Sequence, residues 1–360
     1  MIRWRKGTVE DIRREWPGAV ELDVSIGGEG THRALAYPAL VGRPEPGDTV
    51  LLNTTALAMG LGTGGYAMVV AVPDRLPPDP EGPGHLVKAR YTPLQATVLG
   101  ADEQDSPHHA VLRDADSLDR MPVIVADLHS ALPPILAALL AGRPDARVVY
   151  VMPDGGALPS WFSMSIARLK DAGALAATVT VGQAFGGDLE AVTVHTGLLA
   201  ARLVLEADAV VLAQGPGNLG TGTKWGFSGV TAGEAVNAAS VLGGRPVGSL
   251  RVSEGDRRER HIGVSHHSLT AYGRVALARA DIPVPELGGP FGARVAAGAA
   301  PLGERHRLVP VPVDGLHEAL RTAEKDWGVR LSTMGRRLEE DLPYFLTAAA
   351  AGRHTAALLG

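Results

Sequence analysis

The chain has 360 residues, of which 45% are hydrophobic and 20% charged, and a formal net charge of −5 at pH 7. That composition argues against intrinsic disorder, and the length allows two or three domains that each bury a core. Cysteine is absent, which excludes disulfides and thiolate metal sites, and the acidic balance gives no electrostatic footprint for nucleic acid.

Neither a secretory signal nor a membrane helix is predicted. The first residues, Met-Ile-Arg-Trp-Arg-Lys-Gly, turn polar before the apolar core of a signal peptide could form. No apolar run approaches the roughly 20 residues that a membrane helix needs. We therefore expect a cytoplasmic protein with no membrane partner and no nucleic-acid partner.

Residues 1–98 are predicted to form a small β-rich domain. Short alternating segments are separated by turn residues, and strands at this spacing are typical of a small barrel or sandwich. The predicted strands are 19–24, 33–37, 49–52 and 66–72. Residues 61–65 form a second glycine loop, predicted to be a tight hairpin, with a contribution to a site as the alternative. Residues 99–120 are predicted to be a linker.

From Met121 onward, apolar strands alternate with helices. The predicted strands are 123–127, 148–152, 177–181, 191–195, 209–214, 247–252 and 262–265. The predicted helices are 133–140, 161–172, 198–206, 231–242 and 269–279. This alternation indicates a mostly parallel sheet with helices on both faces, so residues 121–282 are predicted to be an α/β, Rossmann-like core.

The C-terminal segment, residues 283–360, is expected to pack on this core. Residues 286–300 are rich in Gly and Ala and are predicted to be irregular, with a helix at 294–299 as the alternative. A strand at 307–313 and a helix at 315–324 follow. The terminal helix, 338–359, is predicted to break near Gly352.

A glycine-rich loop at 215–224, between an apolar strand and an Ala-rich helix, organises the rest of the sequence. Glycine brings backbone N–H groups close to a ligand, the helix N-terminus adds partial positive charge, and Lys224 adds a full one. The loop is therefore predicted to bind a small anionic, phosphate-bearing ligand. A long surface turn is the alternative.

Two named phosphate-binding motifs are each met only in part. Gly215, Gly217 and Gly220 have the spacing of the dinucleotide-binding motif. In that motif a helix begins within the glycine pattern, whereas residues 221–229 of this chain contain further glycines and predict a continued loop. In the phosphate-loop pattern, Thr223 stands where Lys is required.

Ligands of open α/β sheets bind beyond the carboxyl ends of the strands, and the polar residues of this sequence follow the predicted strands at those ends. A single site is therefore predicted at this edge. The candidates for acid/base catalysis or for ligation of a divalent metal are Asp127, His129, Asp188 and His266. The candidates for ligand binding are Asp154, Gly155, Gly156, Gly215, Gly217, Asn218, Gly220, Thr221 and Lys224.

These candidates also have structural interpretations. Asp127 and His129 could cap the following helix, and Asp154 could belong to a turn. His266 and His267 follow a predicted strand and so are expected to point in opposite directions unless the backbone bends there, and His266 is the favoured candidate of the two.

The charged run at 254–261 is interpreted as solvated surface, with an arginine that reaches a phosphate as the alternative. The Gly-x-Ser-x-Gly elbow is absent from the sequence, which argues against serine acyl transfer. The His-Glu-x-x-His and EF-hand patterns are absent as well.

Specific strings are spread over nearly the whole chain. They include Leu-Gly-Thr-Gly-Gly at 61–65, Arg-Tyr-Thr-Pro-Leu-Gln at 90–95, Asp-Ser-Pro-His-His at 105–109, Asp-Gly-Gly-Ala-Leu-Pro at 154–159, Ala-Phe-Gly-Gly-Asp-Leu-Glu-Ala at 184–191, the loop at 215–223 and Ser-His-His-Ser at 265–268. In these strings the chain resembles an uncharacterised bacterial family, a domain of unknown function. The resemblance implies no activity, substrate or catalytic residues.

Two hypotheses follow. The first is a cytosolic α/β enzyme that binds a small anionic ligand, in its concrete form a divalent-metal phosphoesterase. The second is a non-catalytic ligand-binding or assembly protein, because many α/β folds bind without turnover. A homo-oligomer is expected, in which the N-terminal domain and the terminal helix make subunit contacts.

Overall fold

The computed structural model describes residues 1–61 and 64–360. The chain divides into two compact units, one formed by Met1–Val98 with Trp161–Ala167 and the other by Leu99–Ser160 with Arg168–Gly360. Gly62 and Thr63, which belong to the second glycine loop predicted from the sequence, lie outside the described residues.

The first unit contains a closed five-stranded barrel with strand order β1-β2-β3-β5-β4. Its elements in chain order are β1 (Trp4–Trp16), β2 (Ala19–Ile26), β3 (Gly30–Ala36), α1 (Pro38–Val41), β4 (Thr49–Asn53), α2 (Thr55–Ala58) and β5 (Ala67–Ala71), followed by the hairpin of β6 (Leu86–Lys88) and β7 (Ala96–Val98). Alternating apolar side chains such as Leu22, Val24 and Leu52 fill its core. The small β-rich N-terminal domain is confirmed.

Eight parallel strands form the sheet of the second unit. They are β8 (Pro122–Ala126), β9 (Val148–Met152), β10 (Ala177–Val181), β11 (Leu189–Ala191), β12 (Ala209–Ala213), β13 (Arg245–Gly248), β16 (Asp281–Pro285) and β17 (Arg307–Val311). Two small hairpins accompany them, β14 (Val252–Ser253) with β15 (Gly263–Val264), and β18 (Ser332–Thr333) with β19 (Arg336–Arg337). The predicted parallel α/β architecture is confirmed.

The helices complete the fold. They are α3 (His109–Leu112), α4 (Leu132–Gly142), α5 (Met164–Asp171), α6 (Val194–Leu203), α7 (Thr231–Val241), α8 (His266–Thr270), α9 (Gly289–Ala299), α10 (Leu316–Asp326) and α11 (Leu342–Leu358). Residues of α6, α7 and α9 share one hydrophobic cluster, and residues of α4, α10 and α11 share another. None of the helices in the described ranges is long and apolar enough to cross a membrane.

Three local predictions are wrong for identifiable reasons. Residues 191–195 are not one strand, because Thr193 caps α6 by accepting a hydrogen bond from the Thr196 N–H at 3.2 Å. Residues 289–299 form a helix, so the prediction of an irregular segment is wrong and its alternative, a helix at 294–299, is confirmed. α11 runs unbroken through Gly352, where a Cβ atom would lie 2.1 Å from the Ile135 carbonyl oxygen, so the glycine lets α11 pack closely on α4.

The strand order, β11-β10-β9-β12-β8-β13-β16-β17, places β8 between β12 and β13. From β8 the chain moves outward to β9 on one side, and from β12 it crosses to β13 on the other side. The strand order therefore reverses direction around β8. Open α/β sheets bind ligands beyond the carboxyl ends of the strands at such a reversal, which here are the ends of β8, β12 and β13.

Candidate functional site

Asp127 follows β8 directly and is 5% exposed. Gln214, which follows β12, donates from Nε2 to the Asp127 carbonyl oxygen at 2.7 Å. Asp127 Oδ2 has no hydrogen-bond partner among the described residues, and the basic side-chain nitrogens nearest to it are His267 Nδ1 at 3.5 Å and Arg251 Nη1 at 3.8 Å. Because nearly all buried polar atoms are hydrogen-bonded in proteins, this oxygen requires an explanation.

Three histidines lie together beside Asp127. Ser265 caps α8 by accepting from the His267 N–H at 3.2 Å, so His266 and His267 occupy the first helical turn and their ring centroids are 4.5 Å apart. His261 ends a 3₁₀ helix, and its Nδ1 lies 2.7 Å from Ser265 Oγ. One ring nitrogen of each histidine lies within 4.8 Å of the other two. We call these three residues the histidine cluster.

The expectation that His266 and His267 point in opposite directions is wrong. It assumed that the strand continued through them, whereas β15 ends at Val264 and α8 begins at His266. Successive residues in the first turn of a helix are only about 100° apart around its axis, so both rings reach one place.

The His267 ring is fixed on two sides. The Phe227 ring stacks on it with a centroid distance of 3.7 Å and an interplanar angle of 5°. Arg251 Nη1 lies 3.2 Å from His267 Nδ1. Since a guanidinium only donates, Nδ1 accepts in this arrangement and Nε2 carries the proton.

Burial favours the neutral form of two members of the cluster, His261 and His266. It lowers the pKa of His261 to about 3, and the charge of Arg251 acts in the same direction. Burial also lowers the pKa of His266 to about 4, assisted by His267. Neutral imidazole is the form that ligates metal ions.

His129 and Asp188 have different surroundings. His129 Nδ1 lies 3.0 Å from the Tyr150 hydroxyl, which donates to the Ala213 carbonyl oxygen at 2.8 Å, and burial lowers the pKa of His129 to about 4. Asp188 accepts hydrogen bonds from the Thr178 N–H at 2.7 Å and from the Thr178 hydroxyl at 2.9 Å. Thr178 lies at the amino end of β10, so the prediction that Asp188 belongs to the carboxyl edge is wrong.

Asp154 and its glycines serve the packing of loops. Asp154 Oδ2 accepts from the Gln183 N–H at 2.8 Å. A Cβ at Gly155 would lie 2.7 Å from Gln214 Oε1, and one at Gly156 would lie 2.2 Å from the Gly215 carbonyl oxygen. Glycine is required at both positions because the loops after β9 and β12 approach this closely.

The glycine-rich loop reaches the site only at its base. Asn218 Oδ1 accepts from Gln214 Nε2 at 2.9 Å, and Gly215 is buried. Beyond them the chain forms an exposed hairpin, in which the Thr221 N–H donates to the Gly226 carbonyl oxygen at 2.7 Å. The exposed members of the predicted set are Gly217, Gly220, Thr221 and Lys224. This hairpin corresponds to the surface turn that was the alternative interpretation.

Sequence reasoning missed Arg251, His261 and Phe227 as site residues, and it set His267 aside in favour of His266. Arg251 is 3% exposed and His261 is 1% exposed, although His261 ends the run that was interpreted as solvated surface. The available signal was the spacing His261, His266, His267, which places three imidazoles within seven residues.

A family model described as a protein of unknown function, DUF3866, matches residues 33–352 of the chain. The chain belongs to this family. The DUF3866 match includes Asp127, Arg251 and the whole histidine cluster. No curated protein and no solved structure matches the chain.

Proposed function

We propose that the histidine cluster binds a catalytic divalent metal ion and that the chain is a metal-dependent hydrolase of small anionic, phosphate-bearing substrates. One observation carries this proposal. Of the five buried side-chain atoms without a hydrogen-bond partner in the described residues, three belong to this edge: Asp127 Oδ2, Gln214 Oε1 and His266 Nε2. Such a group of unsatisfied atoms is expected where a ligand binds.

The histidine cluster provides the metal ligands through Nε2. His266 Nε2 is buried without a partner among the described residues, and Ser265 Oγ already orients His261 through its Nδ1. Three imidazoles suit zinc and neighbouring transition metals. A site with three protein ligands leaves a fourth position for water, as catalytic rather than structural zinc sites do.

Asp127 positions His267. When His267 Nε2 binds a metal ion, its proton must reside on Nδ1, and Nδ1 then needs an acceptor. Asp127 Oδ2 lies 3.5 Å away and makes no other hydrogen bond within the described chain. Carboxylates that hold metal-ligating histidines in this way are common in proteins. Arg251 cannot donate to a protonated Nδ1, which would leave its Nη1 as a donor for an anionic group of the substrate.

The metal would supply a water molecule whose pKa is lowered to about 7. In the hydrolysis of a phosphoester, such a water would supply the oxygen that bonds to phosphorus as the ester P–O bond breaks, and one of its protons would leave with the alcohol. Arg251 contacts His267 of the histidine cluster and could stabilise the negative charge that develops on the phosphoryl oxygens.

The test is metal content together with hydrolysis. Purified parent protein, His266→Ala and the exposed-histidine control His195→Ala are loaded with Zn²⁺ or Mn²⁺ and dialysed, and their metal is measured by elemental analysis. Hydrolysis of p-nitrophenyl phosphate and of nucleotides is then followed. We expect about one metal ion per chain in the parent and in His195→Ala, and a loss of metal and of at least 100-fold in rate in His266→Ala.

Equal metal content in the parent and in His266→Ala contradicts the proposed metal site. Metal bound at one equivalent without turnover of any phosphoester supports the binding-protein alternative instead.

A further inference from the structure

A cavity of about 590 Å³ opens next to the histidine cluster. Its lining residues are Gly255, Asp256, Arg257, Arg258, Met334, Gly335, Arg336 and Glu340. Its volume is in the range of sites that bind small molecules. The loop between β14 and β15 forms one side, and the turn between β18 and β19 forms the other.

Two of the three lining arginines are held in fixed positions by Asp256. Asp256 Oδ1 accepts from Arg258 Nε at 2.9 Å, and Oδ2 accepts from Arg258 Nη2 at 2.8 Å and from Arg336 Nη2 at 3.3 Å. Asp341 accepts from Arg336 Nε at 2.9 Å. Guanidinium groups that are fixed in advance lose little conformational entropy when they bind an anion.

One of the arginines that line the cavity is left without an ionic partner. Both oxygens of Asp256 are already occupied by arginines, and hydrogen bonds from Arg258 hold the pKa of Asp256 well below its usual range. Glu340 Oε2 accepts from the Arg337 N–H at 2.6 Å. Arg257 is exposed and makes no hydrogen bond or ion pair with the rest of the described chain. Arg258 and Arg336 are therefore paired with Asp256 and Asp341, and Arg257 is the lining arginine that has no carboxylate partner in the described chain.

Asp256 also links the cavity to the histidine cluster. Its Oδ2 lies 3.7 Å from Arg251 Nη2, and the other terminal nitrogen of Arg251 contacts His267. A substrate that spans this distance can place its scissile bond at the histidines and a second anionic group at the arginines.

We propose that this cavity binds a second anionic group of the substrate, a phosphate or a carboxylate, through Arg257, Arg258 and Arg336. The inference rests on the proposed function, since it names the substrate class as a small molecule that carries an anionic group away from its scissile phosphoester. Arginine suits both groups because its planar fork matches phosphate and carboxylate oxygens.

The experiment is titration of the full-length, metal-loaded protein with inorganic phosphate and, separately, with acetate, followed by calorimetry. Arg257→Gln is the main variant, because an exposed residue without partners tolerates substitution. Arg113→Gln, which removes an exposed arginine elsewhere, is the matched control, and His266→Ala removes the proposed metal site. We expect the phosphate dissociation constant to rise roughly tenfold in Arg257→Gln and to stay unchanged in Arg113→Gln.

Which of the two titrants binds more tightly identifies the anionic group. The inference is overturned if the parent binds neither titrant, if Arg257→Gln binds phosphate as tightly as the parent, or if His266→Ala alone loses phosphate, because the anion then sits on the metal. Elemental analysis of the same samples reports separately on the metal site, so the two proposals can fail independently.

Discussion

Asp127 and Asp188 were both predicted to lie in one pocket, but they lie at opposite ends of the strands of the same sheet. Asp127 lies at the carboxyl end of β8, and Asp188 lies at the amino end of β10. Asp188 is held by the N–H and hydroxyl of Thr178 and by Lys170. Asp127 is nearly inaccessible to solvent, yet one of its oxygens has no hydrogen bond in the described residues. A carboxylate whose lone pairs are satisfied by its own fold has a structural role. The unsatisfied oxygen of Asp127 is therefore the reason for placing the proposed site beside Asp127 rather than beside Asp188.

Among the substitutions that test this difference between the two aspartates, Asp127→Asn is expected to have the largest effect. The substitution keeps the size of the side chain and removes the charge that would hold His267 in the metal-binding tautomer. We expect the affinity for Zn²⁺ to fall about 10- to 100-fold, as for other carboxylates that position metal-bound histidines. Calorimetric titration with Zn²⁺ measures this change in affinity. An unchanged affinity would remove Asp127 from the site.

A second effect concerns stability in acid and rests on His129. Burial lowers the pKa of His129 to about 4, below its ordinary value of 6.5, so the folded state keeps this residue neutral while the unfolded chain takes up a proton. Stability is therefore lost as pH falls from 6.5 toward 4. Between pH 6.5 and 5 the resulting loss in the free energy of unfolding is roughly 1 to 2 kcal/mol.

Urea unfolding at pH 7 and pH 5 tests this dependence. His129→Gln is expected to show a shallower loss of stability than the parent, and His195→Gln, at an exposed position, the same loss as the parent. If His129→Gln and the parent lose stability equally, His129 is not buried in its neutral form.

Asp188→Asn should affect stability alone. The variant weakens hydrogen bonds to Thr178 and the ion pair with Lys170, at a cost of about 1 kcal/mol. We expect Zn²⁺ affinity equal to that of the parent, measured on the same samples as Asp127→Asn. A parallel fall in metal affinity for both variants would mean that loss of fold, rather than loss of a ligand partner, explains the Asp127 result.

The smallest effect is expected from Lys224→Gln. Lys224 is exposed on the hairpin beyond Asn218, and its ammonium lies 5.9 Å from the Trp225 ring centroid. We expect Zn²⁺ affinity within about twofold and unfolding free energy within about 0.5 kcal/mol of the parent. A tenfold weaker binding of inorganic phosphate in this variant would restore the glycine-rich loop as the anion site.

The fold could be predicted where local pattern decides it. Apolar strands such as β8, β9 and β12 are buried throughout, and the alternation with helices then leaves few architectures. Gly352 shows the limit, because its place inside α11 depends on contact with Ile135 more than 200 residues earlier.

The candidate site could be predicted only in part. Asp127 and His266 follow from the rule that ligands lie beyond the carboxyl ends of parallel strands. Asp188 was misplaced because the chain returns to the amino end of β10 before β11 begins, which only the pairing of Val179 with Leu189 reveals. His261 was missed because a dense charged run gives no local sign that some of its members are buried.

The most direct test of the proposed metal site is X-ray absorption spectroscopy of the zinc-loaded protein, with His266→Ala as comparison. We predict three imidazole nitrogens at about 2.0 to 2.1 Å from the metal in the parent and fewer in the variant. A spectrum that shows only oxygen ligands, or the same spectrum for both proteins, would contradict a metal site built from His261, His266 and His267.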